Sequence, residues 1–371
     1  MSNANKRPDG PLKGLKVLDT STMYAAPMIA TLLADHGADV LKVEPPEGDP
    51  YRVHPAMWSV VARNKGSVVM DLRSEEGCEQ LRRMVRDIDV IVVNMPPALL
   101  KRRGLDYERL SAINPGLIMA HFSGYGLEGP LSTAAGNGTV SEAFAGFTHM
   151  TGESDGAPVL PSVPLGDGLS AFSGAFGVLA ACYNRLSNGG KGALIDVNPV
   201  DAILQITGTV LAGYDGKGEP PRRLGNRVAA PNLRNVFQTA DGKWVVYALS
   251  TQRQWNDIAT LTGHVGDPGN IAELEVSVRK WTRTQTRDAV LKELLPRGMM
   301  VAPANDARDL LADEHIRARH SLLQVKGPDG SETLTPAPAP RFMGRAVPSV
   351  MYTPLLGEDN ARLPVSPDKP Q

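Results

Sequence analysis

The order of short apolar segments near the start of the chain constrains its fold more than any other feature. Leu15-Lys-Val-Leu-Asp19 reads as a strand, Pro27 to His36 as a helix ended by Gly37, and Asp39-Val-Leu-Lys-Val-Glu44 as a second strand. Strands joined through a helix by brief connections run parallel, as in the βαβ unit. The pattern recurs in the strand Ser67–Leu72, the helix Glu75–Asp87 and the strands Asp89–Asn94 and Leu117–Phe122. It returns in Ala193–Asn198 with the helix Pro199–Ala212. These segments predict an α/β fold, a Rossmann-like parallel sheet wrapped by helices. Ligands of such sheets bind beyond the carboxyl ends of the strands, here the loops Thr20–Ala26, Pro45–Asp49, Asn94–Pro97 and Ser123–Pro130.

A chain of 371 residues exceeds one ordinary core, so two domains are expected. A polar stretch rich in Gly, Pro and Arg, Gly213–Asn232, marks the boundary. Beyond it come a hairpin over Asn235–Leu249 turning at Asp241-Gly242, helices to about His320, and a hairpin over Leu322–Leu334 turning at Asp329-Gly330. The expected division is a large α/β domain over 1–225, a small α+β domain over 226–335, and a proline-rich segment, 336–371, that returns to complete the large domain.

With 39 basic and 40 acidic residues the net charge is −1, so no global field favours a polyanion and no nucleic-acid partner is expected. Cys78 and Cys182, far apart and each within a predicted helix, read as reduced core thiols of a cytoplasmic protein. The histidines lack metal-ligand spacing, so no metal is expected, and His121 reads as a satisfied group in a core strand. The polar segment Met1-Ser-Asn-Ala-Asn-Lys-Arg-Pro8 is no signal peptide. No membrane span is expected either, because the apolar run from Leu169 to Leu186 reads as a buried core helix. Gly124-Tyr-Gly-Leu-Glu-Gly129 has the glycine spacing of a dinucleotide fingerprint, but Pro130 follows where the helix would have to begin.

Asp167 stands between Gly166 and Gly168 at the head of the long apolar helix. An aspartate there is most simply an N-cap. The unpaired N–H groups and positive dipole end of a helix also favour an ionised carboxylate, the form that attacks. The flanking glycines permit close approach of another molecule and leave backbone N–H groups to face an oxyanion.

Several segments together resemble the class III CoA-transferase family, which includes formyl-CoA and carnitine CoA-transferases and the related α-methylacyl-CoA racemases. They are Pro11-Leu-Lys-Gly-Leu-Lys-Val-Leu-Asp19, Ala34-Asp-His-Gly-Ala-Asp-Val-Leu-Lys-Val-Glu44, Asn64-Lys-Gly-Ser-Val-Val-Met-Asp-Leu72, Gly124-Tyr-Gly-Leu-Glu-Gly-Pro130, Leu165-Gly-Asp-Gly168, Gly225-Asn226, Thr239-Ala-Asp-Gly242 and Pro354-Leu-Leu-Gly-Glu358. The resemblance implies that Asp167 attacks the thioester of an acyl-CoA, forming a mixed anhydride and then an aspartyl-CoA thioester, before CoA passes to a free carboxylic acid. It further implies that Gly166 and Gly168 serve the oxyanion, that Met23, Tyr24, Ala25, Lys65, Asn94 and Arg102 bind coenzyme A, and that two chains interlock as a homodimer. Two departures stand out: Pro45 occupies a place where the family often has Arg, and Asn137 one where transferases often have an aromatic residue beside the substrate pocket.

A racemase needs titratable groups on both faces of the α-carbon. The matching positions here are Asn137 and Thr251, neither of them a base at neutral pH, so CoA transfer is the expected activity. The alternatives are a racemase-like isomerase and a non-catalytic CoA-binding relative. The sequence does not distinguish a small dicarboxylate from a larger acyl group, with Tyr24, Asn137 and Met150 as mixed pocket candidates.

Overall fold

The computed structural model describes residues 8–214, 216–346 and 350–364. They form two compact units. One comprises the chain up to Phe147, Pro161–Gly213 and the part from Arg319 onward, the other Thr148–Leu160 and Tyr214–Ala318.

The first unit begins with β1 (Lys16–Asp19), α1 (Ala25–Asp35), β2 (Asp39–Glu44), α2 (Pro55–Val61), β3 (Gly66–Val69) and α3 (Glu75–Met84). It continues through β4 (Val90–Val93), α4 (Pro97–Arg103), α5 (Tyr107–Ile113), β5 (Ile118–Phe122) and α6 (Gly138–Phe144). After the short α7 (Phe147–Met150), where the chain leaves the unit, come α8 (Leu165–Arg185), β6 (Ala193–Val197) and α9 (Pro199–Ala212). Six strands pair in the order β3-β2-β1-β4-β5-β6, all parallel. This is the doubly wound order, and it reverses between β1 and β4, so the loops after those two strands flank the crevice where such folds take ligands.

Alternate residues of each strand feed opposite faces of the sheet. Val17, Val40, Val90, Val92 and Ile118 pack with Ile29 and Leu33 of α1 and with Ala171, Ala175 and Val178 of α8. Leu18, Leu41, Val43, Ile91, Val93 and Met119 pack with Cys78, Leu81 and Met84 of α3, Leu100 of α4 and Leu110 of α5. Burial on both faces is why these strands read as nearly continuous apolar runs.

The long helix departs from expectation. Its small residues, Gly166, Ser170, Ala171, Gly174 and Ala175, form the buried stripe. Gly174 lies so close to α1 that a Cβ there would stand 2.6 Å from Ile29 Cδ1. The larger residues face the other way: Phe172 is 53% exposed, Phe176 74% and Tyr183 78%. The run was read as buried because it is apolar all round, but only a stripe of small side chains fits the close helix contact.

The second unit holds an antiparallel sheet of β7 (Leu233–Gln238), β8 (Trp244–Leu249) and β9 (Val301–Pro303). The helices α10 (Gln252–Thr262), α11 (Ile271–Thr282), α12 (Arg287–Leu294), α13 (Ala307–Ala312) and α14 (Glu314–Ala318) accompany it. Phe237 and Tyr247 meet edge to face in its core, and Tyr247 shares a hydrogen bond of 2.9 Å with Thr282.

The hairpin of β10 (Leu322–Lys326) and β11 (Glu332–Pro336) was expected in the small domain, but it groups with the first unit. β12 (Val350–Tyr352) adds to it in parallel, and β11 packs on α2. From there the chain runs along the outer edge of β3, where Asp359 N–H donates to Ser67 O at 2.8 Å, Ser67 N–H donates to Asp359 Oδ2 at 3.0 Å, and Val69 N–H donates to Asn360 Oδ1 at 2.8 Å.

Candidate active site

Asp167 is the third residue of α8, and the N-cap position belongs to Pro164. Its carboxylate is half-buried and reachable from outside. Oδ1 accepts a hydrogen bond of 3.1 Å from Gly138 N–H, the first residue of α6. Oδ2 has no partner among the described residues, which leaves one oxygen anchored and one open. The acid's pKa lies above its ordinary value: burial raises it most, Gly138 N–H opposes, and the charge of Glu142 raises it again. The helix terminus was expected to favour ionisation; burial and a second carboxylate outweigh it.

The flanking glycines differ from their expected roles. Gly166 N–H donates to Glu142 Oε1 at 2.8 Å, and Gly168 N–H donates to Pro164 O at 2.9 Å, so both are occupied. The donor that does face the Asp167 carboxylate is Gly138, from another helix. Gly166 is needed instead for close packing, since a Cβ there would sit 2.9 Å from Gly138 O, whereas a Cβ on Gly168 would meet open space.

An ionic network lies at the carboxyl end of β1. Asp19 Oδ2 accepts from Lys65 Nζ at 2.7 Å, and Lys42 Nζ lies 2.9 Å from Asp49 and 3.7 Å from Asp19. Burial alone would raise the Asp19 pKa, but Lys42 and Lys65 overcome it and hold the acid at about 2. Lys65 was expected to meet a phosphate of CoA. It is 3% exposed and also donates to Pro27 O at 2.7 Å; burial draws its ammonium down to about 8 against the support of Asp19. It is an internal counter-ion, closed off from a solvated phosphate in this structure.

The network supports the loop that follows β1. Lys42 Nζ donates to Ser21 O at 2.8 Å, and Asn94, at the end of β4, accepts from Thr22 N–H at 3.2 Å and returns its amide to Thr22 O at 2.8 Å. Asn94 thereby ties the two loops across the switch point. Met23 projects outward, 55% exposed, in the left-handed region at φ 71°, an uncommon conformation for a side chain other than Gly. Tyr24 caps α1, and Ala25 is buried as its first helical residue.

Tyr24 and Tyr51 pack around Trp58, and both feel the charge of Asp167. Burial raises both phenols, and Asp167 raises them further. Arg102 is exposed on the last turn of α4, without an ion pair among the described residues. Beside Pro45, which stands in place of the arginine expected from the resemblance, Glu44 is held by Arg52, with contacts of 2.6 and 2.7 Å. Asn137 is the exposed N-cap of α6, its Oδ1 accepting from Val140 N–H, and Thr251 is the N-cap of α10. Both have capping roles and neither titrates, so no pair of bases stands at the racemase positions.

Gly138, Glu142 and Tyr51 bear on Asp167 and were missed in the sequence. A lone Glu among small and apolar residues, Ser141-Glu-Ala-Phe-Ala-Gly146, was the available signal for Glu142.

Comparison with known proteins shows the family. Residues 12–360 match the model of CoA-transferase family III. The chain is 32% identical to a succinyl-CoA–D-citramalate CoA-transferase of Chloroflexus aurantiacus, over 97% of this chain and 94% of the relative. It is 32% identical to a succinate–glutarate CoA-transferase of Agrobacterium fabrum, over 88% of each. A crystal structure of a CaiB/BaiF family protein from Brucella suis superposes with a TM-score of 0.83 at 30% identity, covering 95% of this chain and 98% of that one. The chain belongs to CoA-transferase family III and is a CoA-transferase of that class.

Proposed function

We propose that the protein moves CoA from a short dicarboxylyl-CoA, of the succinyl-CoA type, to a second small carboxylic acid, with Asp167 as the covalent nucleophile. The donor class follows the names of the relatives from Chloroflexus and Agrobacterium. The observation that carries the mechanism is the half-exposed Asp167, with Oδ1 on Gly138 N–H and Oδ2 open.

Oδ2 attacks the thioester carbon; the C–O bond forms, the C–S bond breaks, and CoA leaves as thiolate. The thiolate attacks the Asp167 carbonyl of the anhydride, releasing the donor acid and leaving an aspartyl-CoA thioester. The acceptor carboxylate then displaces the thiolate to form a second anhydride, and the thiolate attacks the acceptor's acyl carbon, which frees Asp167. No proton is exchanged. When Asp167 carries the acyl group, Gly138 N–H is placed to hold charge developing on Oδ1.

We further propose that Met23, Tyr24 and Asn94 border the pantetheine path, with Ala25 fixing the loop from below. Arg102 meets the nucleotide phosphates, and Lys65 serves the loop rather than the ligand. Two chains act together as an interlocked homodimer in the cytoplasm; the exposed Phe172, Phe176 and Tyr183 support the pairing, and the unpaired Cys78 and Cys182 support the compartment.

Incubation with succinyl-CoA, trapping with hydroxylamine and peptide mass spectrometry test the mechanism. A hydroxamate at Asp167 is expected, together with its loss and near-normal CoA binding in Asp167→Ala. Full turnover by that variant rules the nucleophile out.

A further inference from the structure

The first turns of α6 and α8 are tied by two reciprocal hydrogen bonds. Gly138 N–H at the head of α6 donates to Asp167 of α8, and Gly166 N–H at the head of α8 donates to Glu142 of α6. The approach needs both glycines: a Cβ on Gly138 would lie 2.7 Å from Asp167 Cγ, and one on Gly166 would lie 3.3 Å from Glu142 Cγ. Glu142 is 2% exposed and has no cationic partner among the described residues. A buried, unpaired carboxylate is unfavourable, and a glutamine of the same shape would accept the same N–H without the charge. The charge therefore needs an explanation beyond the hydrogen bond.

We infer that Glu142 is a positioning residue for the nucleophile, fixing the first turn of α8 through Gly166 N–H and, by its charge, destabilising ionised Asp167 relative to acylated Asp167. The inference rests on Asp167 being the nucleophile. Before acyl transfer the charge of Glu142 bears on the Asp167 carboxylate; once the C–O bond has formed and the C–S bond has broken, the negative charge of Asp167 has left with the CoA thiolate. Repulsion present in the reactant is thus relieved in the anhydride and again in the aspartyl-CoA thioester. The titratable groups whose charge bears on Asp167 are Glu142 from α6, Tyr24 from the loop after β1 and Tyr51 from the turn before α2; the neutral phenols add no charge at working pH.

The test compares full-length wild type, Glu142→Gln and Glu142→Ala in single-turnover formation of the Asp167 adduct with succinyl-CoA across pH. In Glu142→Gln the acid limb of the rate moves about one pH unit lower, and the plateau falls roughly fivefold with KM nearly unchanged, because a one-unit shift is a tenfold change in protonation equilibrium. Glu142→Ala, which also leaves Gly166 N–H without its acceptor, falls by at least another order of magnitude. A wild-type limb and plateau in Glu142→Gln overturn the inference, as does equal loss in both variants. If Glu142→Gln fails to fold, Glu142→Asp decides: its retained charge should keep the acid limb at the wild-type pH while the plateau falls with the lost reach to Gly166 N–H, and a limb moved about one pH unit lower overturns the inference. Absence of any adduct in folded wild type instead removes the nucleophile on which the inference depends.

Discussion

Adding one methyl group at Gly138 separates the catalytic role of this backbone from its structural role. The new Cβ would stand 2.7 Å from both Cγ and Oδ1 of Asp167 and 2.8 Å from its backbone nitrogen, whereas ordinary contact begins at 3.4 Å. The nucleophile or the head of α6 must therefore move by about 0.7 Å, which stretches the 3.1 Å bond from Gly138 N–H toward loss. Loss of one preorganised oxyanion donor reduces rates about 10²- to 10³-fold, and misplacement near 1 Å has a comparable effect. Overpacking costs about 1–3 kcal/mol, partly offset by alanine's helix preference over glycine of about 1 kcal/mol. Gly138→Ala should thus remain folded, with a melting temperature lowered by a few degrees, while adduct formation slows about a hundredfold in a single-turnover hydroxylamine trap. Gly168→Ala supplies the contrast: its Cβ meets nothing within 4 Å, and its rate should stay within about threefold of wild type. A near-normal rate in Gly138→Ala, or a hundredfold loss in Gly168→Ala with the fold intact, would refute this assignment of the backbone donors.

Asp19→Asn should destabilise the fold by about 3–5 kcal/mol in chemical denaturation, because Lys65 and Lys42 lose a buried counter-charge. Asp19 itself is held at about 2 when folded against 3.8 otherwise, so its stabilisation is complete above pH 4 and about 2 kcal/mol is lost as pH falls toward 2; acid titration of wild type and variant should differ in that window. Phe176→Asp, on the exposed stripe of α8, should lower the melting temperature of an assembly of twice the 39.7 kDa chain mass by several degrees, and an unchanged melting temperature would exclude that face from the contact. Arg102→Ala should raise KM for the CoA donor about tenfold with kcat nearly constant, and it should weaken the salt dependence of KM.

The sheet was legible because its strands are buried on both faces and separated by helices with clear terminators, such as Gly37 after α1. The fate of α8 was not. Apolar periodicity reports which residues avoid water but not which neighbour removes them from it, and the stripe chosen for the core is the one whose side chains are small. Leu165-Gly-Asp-Gly168 makes Asp167 the sequence's candidate, yet its hydrogen-bond donor was not legible, because Gly138 arrives from another helix and spacing along the chain carries no trace of that meeting. The direction of Lys65 was not legible for a related reason: a lysine in sequence is a charge without a direction, and here it points inward at Asp19. Likewise the hairpin Leu322–Pro336 looked continuous with the helices before it, whereas its edge pairing with Val350–Tyr352 joins it to the first unit.

The inward turn of Lys65 has a consequence for how coenzyme A is held. Lys42, Lys65 and Arg63 are fully or nearly buried and committed to Asp19, Asp49 and Asp35, and Arg52 is taken by Glu44. The cations around the crevice therefore stiffen the backbone rather than wait for a ligand. Arg73, near the carboxyl end of β3, is likewise paired with Glu47 and Asp71. On the proposed reading, phosphate recognition then falls to exposed groups such as Arg102, whose contribution is weakened by solvent and salt. A substrate that must leave after every transfer suits that arrangement. If Asp167 is the nucleophile we propose, rigid placement is required there, where rate depends on tenths of an ångström, whereas the nucleotide end needs only to be retained long enough for the thiolate to return.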